Sequence, residues 1–246
     1  EGDALASRIV TAPGQPYYEP QVIQDRETLL TAYLNEGYAT ATITVAPQVV
    51  DDSTVDIRFD VSEGPQSIVD HVLIVGNVRT DPRVIEREVQ LRPGEPLGLD
   101  DLFETRRRLG ALGLFRRIRI TEIPHGESNR RDVLIAVEEA PSTTVGYGGG
   151  LELSERLVTG ADGSAEERLD LAPRGFFEIG RRNIGGKNRS VSLYTRLALR
   201  SGSDTSERDN PLGVPEYRVV GTYREPRTFG WNADVTMTGA LEQGVR

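Results

Sequence analysis

The candidates for chemistry in this 246-residue chain are its two histidines, the acid pairs Asp51-Asp52 and Glu138-Glu139, an arginine cluster and two glycine-rich stretches. With only two His a histidine-rich metal site is not expected; His71 and His125 could carry a proton, but no carboxylate or nucleophile stands at a local spacing that pairs with either, so a structural or solvated role is expected. Asp51-Asp52 and Glu138-Glu139 are paired carboxylates of the kind used in general acid–base catalysis. Both fall in or beside turns, where solvated charge accounts for them. Arg106-Arg107-Arg108 with Arg116-Arg117 reads as a solvated helix face, with contact to a neighbouring domain or an acidic accessory protein as the alternative. Gly180 to Lys187 approaches a phosphate loop, but Arg181 stands where that pattern needs Gly and Asn188 where it needs Ser or Thr. Gly146-x-Gly148 is followed by Leu151 where the dinucleotide fingerprint requires Gly. With no Cys there is no disulfide framework, no thiolate zinc site and no cysteine nucleophile. The residues point to no enzyme, no cofactor and no metal.

Charge narrows the partners. Lys+Arg 29 against Asp+Glu 38 gives −9, the wrong sign for a chain that neutralises phosphates over a broad face, so nucleic acid is not an expected partner. No stretch approaches the ~18 consecutive apolar residues of a membrane helix.

The elements that must position these residues come from a repeat. Pro13-Gly14-Gln15-Pro16 returns as Pro93-Gly94-Glu95-Pro96 at an offset of 93 − 13 = 80. Gly37 and Gly113, Asp56 and Asp132, and Pro65 and Pro141 are each 76 apart. One unit is therefore about 76 residues. The copy at 66–141 reads as strand, helix, helix, strand, strand. Ile68 to Val75 is a β-branched run ending at the turn dipeptide Gly76-Asn77. Asp81-Pro82 opens a short helix, and Asp100 is expected to cap a second whose Leu102, Leu109 and Leu112 recur at helical spacing. Two alternating strands follow, around Ile118 and Ile135. The copy at 1–65 keeps a helix at about Asp25 to Asn35 and two strands, and is expected to be truncated at its N-terminus.

After Pro141 alternation takes over. Val145, Tyr147, Leu151 and Leu153 share one parity, as do Val191, Leu193, Leu197 and Leu199, while Ser192, Tyr194 and Arg196 face the other way. Five strands of roughly 9 to 12 residues are expected in 142–246, with short turns at 185–188 and 228–230 and long polar loops at 159–167 and 201–211. Such alternation suits an outer-membrane barrel or half of a soluble sandwich. Five strands cannot close a membrane pore, so a C-terminal part is expected to be missing.

On these residues the chain resembles the Omp85 superfamily, the outer-membrane assembly proteins of the BamA, TamA and surface-antigen D15 type. Val75-Gly76-Asn77, Pro93-Gly94-Glu95-Pro96, Arg108 to Phe115 and Asp132 to Glu138 resemble a POTRA module. Val145-Gly146-Tyr147-Gly148, Arg182 to Lys187 and Tyr223-Arg224-Glu225-Pro226 resemble the start of the family's barrel. The resemblance implies α+β POTRA modules (β-α-α-β-β) followed by antiparallel strands of an incomplete transmembrane β-barrel. It implies modules in the periplasm, a barrel in the bacterial outer membrane, and a chain that assembles or inserts outer-membrane proteins. The expected partners are unfolded client polypeptides, accessory proteins and the lipid bilayer. Within that frame Val72, Leu73, Ile74 and Val75 form a candidate edge for strand addition. Val145, Gly146, Tyr147, Gly148, Gly149 and Gly150 form a candidate lateral seam, weak because its glycines add no packing and cost entropy. Arg174-Gly175-Phe176 matches the letters of a late-loop motif of the family at the wrong position, and no role is carried over. The alternatives are a two-partner secretion pore and a scaffold bearing an enzyme domain outside this chain.

Overall fold

The computed structural model describes residues 7–126, 128–159, 165–200, 214–227 and 233–243. It divides into two compact units, Glu1–Val78 with Pro82–Glu139 and Arg79–Asp81 with Ala140–Arg246.

In the first unit, α1 (Glu19–Asn35) leads into the hairpin β1 (Thr42–Asp51) and β2 (Thr54–Ser62). The helix begins six residues before the expected Asp25, because Pro20 suits a first turn whose N–H groups have no helical partner. Val22, Asp25, Leu29 and Ala32 lie buried on one face. Asp25 is mid-helix, where its carboxylate accepts hydrogen bonds from the backbone N–H groups of Val10 (3.0 Å) and Thr11 (2.8 Å) and from Gln21 (3.0 Å). Those donors hold its carboxyl below the ordinary range against the opposing effect of burial, which is the largest single influence. Gly37, at φ +84°, ends the helix in a Schellman motif: Tyr38 N bonds Tyr33 O and Gly37 N bonds Leu34 O. Asp51 stabilises the hairpin turn by accepting from Ser53 N (2.8 Å) and Ser53 Oγ (2.9 Å), as expected for acids beside a turn.

The second module follows as β3 (Ile68–Val75), α2 (Pro82–Glu86), α3 (Leu99–Ala111), β4 (Phe115–Pro124) and β5 (Arg130–Glu139). Its sheet has the order β3-β5-β4, with β3 parallel and β4 antiparallel to the central β5. Flanked on both sides, β5 turns Val133, Ile135 and Val137 into a core completed by Val69, Ile85, Leu91, Leu97 and Leu109. The expected Asp100 cap is not made. Gly98 is the N-cap residue of α3 and has no side chain to offer, and it is Asn35 that reaches in: Asp100 N donates to Asn35 Oδ1 (3.0 Å) and Asn35 Nδ2 to Asp100 Oδ2 (2.6 Å). A Cβ on Gly98 would meet Asn35 O at 2.7 Å, so the approach of the two repeats requires glycine there.

The second unit is an antiparallel meander of β6 (Thr143–Thr159), β7 (Ala165–Ile184), β8 (Arg189–Arg200), β9 (Val214–Glu225) and β10 (Val235–Gln243), in that order across an open sheet. β6 and β7 have 17 and 20 residues, longer than expected, and their pairing continues to Thr159↔Ala165. The polar stretch expected as a loop from 159 to 167 is thus partly ladder, because backbone hydrogen bonding does not require the apolar alternation used to find strands. The expected segments at 201–211 and 228–230, and Trp231, lie outside the described residues. The turn at 185–188 is made by Asn183, Gly185, Gly186 and Asn188 at positive φ, with Asn188 N donating to Asn183 Oδ1 (3.1 Å). Gly180 to Lys187 is therefore a hairpin end, and no helix opens there to hold a phosphate.

The register separates two faces. Val145↔Ile179↔Leu193 and Tyr147↔Phe177 share one side with Leu197, Met237 and Leu241, all exposed. The other side carries Glu178, Tyr194, Arg196 and Arg218. Arg174-Gly175-Phe176 lies within β7, in strand rather than loop.

Candidate functional site

β3 is an edge strand, since it pairs only with β5. Its outer side is covered at the start: Val69 N donates to Glu95 O (3.0 Å), Gly94 N to Val69 O (2.8 Å), and Leu97 N to Ser67 O (2.9 Å). Further along, among the described residues, no backbone group bonds the outer side of Val72, Leu73, Ile74 or Val75. Val72 and Ile74 line a groove of about 330 Å³ whose other wall includes Pro82, Glu86, Val89, Leu91 and Pro93. Leu73 and Val75 point away and are 44% and 46% exposed. An open backbone edge beside a groove of mixed polar and apolar lining can take an extended polypeptide, the ladder supplying affinity and the groove selecting alternate side chains. The β3 half of this arrangement was legible in sequence. The α2 wall was not, because no spacing rule links residues 82–93 to residues 72–74.

β6 is likewise an edge strand, paired only with β7. Among its glycines, Gly148 alone is closely approached: a Cβ there would lie 2.5 Å from Phe176 Cε1, so a side chain at 148 would have to displace the Phe176 ring, which stacks on Tyr194 with centroids 6.2 Å apart. Gly150 has open space around it, and Gly146 and Gly149 would meet only ordinary contacts. At these three the effect of glycine is the entropy of the unfolded strand and the loss of cross-strand packing.

The arginine cluster is largely paired within its own module. Glu104 accepts from Arg107 (2.6 and 2.7 Å) and Arg108 (2.7 Å). Arg116 bonds Glu138, which accounts for one residue of that acid pair. The hydrogen bonds from Arg107 and then Arg108 lower the Glu104 carboxyl from 4.5 to about 2. Its contribution to stability is therefore complete above pH 4.5 and is lost as the pH falls toward 2. A carbon-detected titration should find the Glu104 midpoint near 2, and Arg107→Ala should raise it toward the ordinary value.

The two histidines, distant in sequence, converge. His71 Nδ1 lies 3.1 Å from Asp132 Oδ1, and His125 Nε2 lies 2.7 Å from Asp132 Oδ2. Local spacing pairs neither histidine with a carboxylate, but the fold does: β3 and β5 are parallel neighbours, so His71 meets Asp132 from 61 positions away, while His125 meets it from 7 positions away, just before β5. The hydrogen bond from His125, followed by that from His71, lowers the Asp132 carboxyl below its ordinary value.

Comparison with known proteins identifies the repeat. The POTRA model, "Surface antigen variable number repeat", matches residues 1–64 and 67–140. The chain is 24% identical over 189 residues to the outer membrane protein assembly factor BamA of Nitratidesulfovibrio vulgaris, covering 76% of this chain and 24% of that one. The chain spans about a quarter of the length of the curated relatives it matches. In fold it is similar to BamA from Haemophilus ducreyi lacking POTRA domains 1-3, at TM-score 0.64 and 17% identity over 95% of this chain and 38% of that one. It is also similar to CdiB from Acinetobacter baumannii, at TM-score 0.52 and 13% identity over 97% of this chain and 40% of that one. With both repeats, more than half of the chain, matched by the POTRA model, the chain belongs to the Omp85 family.

Proposed function

We propose that this chain is part of an outer-membrane protein assembly factor, in which the second module receives unfolded client polypeptides by strand addition to Val72–Val75 and the β6 edge serves as a lateral seam during insertion. The observation that carries this reading is the unpaired outer side of β3 beside the groove lined by Val72 and Ile74. An incoming strand would continue the ladder and place every second side chain in the groove. The modules would then work in the periplasm, and the exposed apolar face of β6–β10 would meet lipid. The energy would come from burial and strand pairing of the client, with no cofactor and no catalysis by these residues. Clients, accessory proteins and bilayer are partners in this proposal.

These 246 residues contain no cysteine, so each introduced thiol is the sole one within them. Leu73→Cys and Val145→Cys, each placed singly in the complete protein, should form disulfides in cells with cysteines introduced into a newly secreted outer-membrane polypeptide. Adducts at Thr28→Cys on the first helix should be far fewer. Equal yields at all three positions would overturn the edge assignment, and depletion of the complete protein without loss of outer-membrane barrels would overturn the assembly role.

A further inference from the structure

We infer that Asp70, His71 and Asp132, with His125 beside them, form a binding site for one divalent transition-metal ion of the zinc class in the second POTRA module.

The site is built by an irregularity in the sheet. β3 and β5 are in register at Val69↔Arg131 and again at Val72↔Val133, with a shift between. Two residues of β3, Asp70 and His71, therefore oppose the single residue Asp132. In a regular strand adjacent side chains point to opposite faces, whereas a bulge re-aims one of them. Here both neighbours bring a ligand atom within 4.8 Å of the Asp132 carboxylate. His71 Nδ1 lies 3.1 Å from Asp132 Oδ1 and 3.4 Å from Asp70 Oδ2, and one ligand atom from each of the three residues lies within 4.8 Å of the others. Ligands bonded at about 2.0–2.1 Å in a tetrahedron are separated by about 3.4 Å, so these spacings suit a shared ion with small movements. His125 stands beside the three, its Nδ1 3.5 Å from Asp70 Oδ2 and its Nε2 at hydrogen-bond distance, 2.7 Å, from Asp132 Oδ2.

The donor set selects the ion. An imidazole with two carboxylates, and a second imidazole alongside, favours borderline metals such as zinc over calcium or magnesium, which take all-oxygen shells. Charge agrees: with neutral imidazoles the two carboxylates face one fixed cation, Arg130, leaving a net negative site. Arg130 bonds Asp70 Oδ1 at 2.7 Å and so orients that carboxylate while leaving Oδ2 to the ion. The backbone N–H of His71, 3.2 Å from Asp132 Oδ1, orients the other. A bound ion would tie β3, β5 and the residue after β4 together at the entrance to the open edge Val72–Val75. The inference does not rest on client binding, since the site is defined within the module alone.

The test uses the complete protein in detergent, purified without a histidine tag, with zinc chloride as the probe. Titration calorimetry should show a saturable zinc site that is absent with calcium or magnesium. X-ray absorption at the zinc edge should show nitrogen or oxygen ligands at about 2.0–2.1 Å, with imidazole scattering. His71→Ala, at a side chain 66% exposed, should lower the stoichiometry by one zinc per chain without unfolding the module. Arg130→Gln should weaken the same site by ~10-fold or more as the loss of an outer-shell partner. If the complete protein takes up no zinc, or if His71→Ala and His125→Ala both bind as much as the parent, the assignment fails.

Discussion

Leu193→Arg is expected to destabilise the strand unit in a bilayer by ~2–4 kcal/mol, whereas Ser192→Arg, one residue away, should cost less than ~1 kcal/mol. Leu193 lies near the middle of β8, is 42% exposed, and shares its side with Val145 and Ile179. Ser192 is on the opposite side, which already accommodates Arg196 and Arg218. An ionised guanidinium at the hydrocarbon centre loses its hydration with no partner to replace it, while one directed into an aqueous lumen keeps it. The cost should also fall with depth, so that Leu199→Arg, near the end of β8, is tolerated better than Leu193→Arg. Urea unfolding of the complete protein from lipid vesicles measures all three. Equal penalties at Leu193 and Ser192, or no gradient from Leu193 to Leu199, would show that this face does not meet lipid.

The second large effect is expected at the end of β3. Gly76 stands at φ +90°, and a Cβ there would lie 2.0 Å from the carbonyl oxygen of Val137. That oxygen belongs to the central strand, whose Val137 side chain is in the core, so it cannot move aside without disturbing the module. Gly76→Val combines a backbone conformation that β-branched residues avoid with a clash against main chain. A loss of more than ~4 kcal/mol is expected, at the upper end of single-residue effects. It should appear as loss of hydrogen-exchange protection across β3 and β5 in the second module. Gly94→Ala is the control, since Gly94 also has positive φ, at +87°, but nothing within 4 Å of a Cβ. It should show only the modest backbone penalty. Similar losses at both positions would mean that φ, and not contact with Val137, sets the requirement at Gly76.

Much of the second module could be read along the chain because its signals are local. Alternation in Val133, Ile135 and Val137 marks a strand buried on one face, and Gly76-Asn77 and Gly113 mark where elements end. Helix limits were less legible. α1 starts at Glu19 and not near Asp25, because Asp25 serves a tertiary role as acceptor for Val10 and Thr11. The Asp100 cap failed for a related reason: the partner of the Asp100 N–H is Asn35, 65 residues away. In β6 and β7 the polar outer segments lack the pattern of a membrane strand but pair in register all the same.

The candidate sites divide in the same way. That Val72–Val75 and Val145–Gly150 would be strands followed from β-branched runs and turn residues, and that they lie at sheet edges followed from strand order. The groove opposite Val72 and Ile74 requires α2 to fold back beside β3. The His71–Asp132 contact requires the parallel β3–β5 pairing and its bulge.

By itself the sequence determined the repeat, the kind of each element, the parity that separates apolar from polar faces, and the absence of cysteine chemistry. Each of these follows from composition or from spacings within a few residues, where backbone geometry alone decides which side chains are neighbours. Only the tertiary structure decided which edge stays open, which glycines are required and which charged residues meet. Those facts depend on contacts between segments far apart in the chain, and such contacts are set by packing and register that no local period encodes.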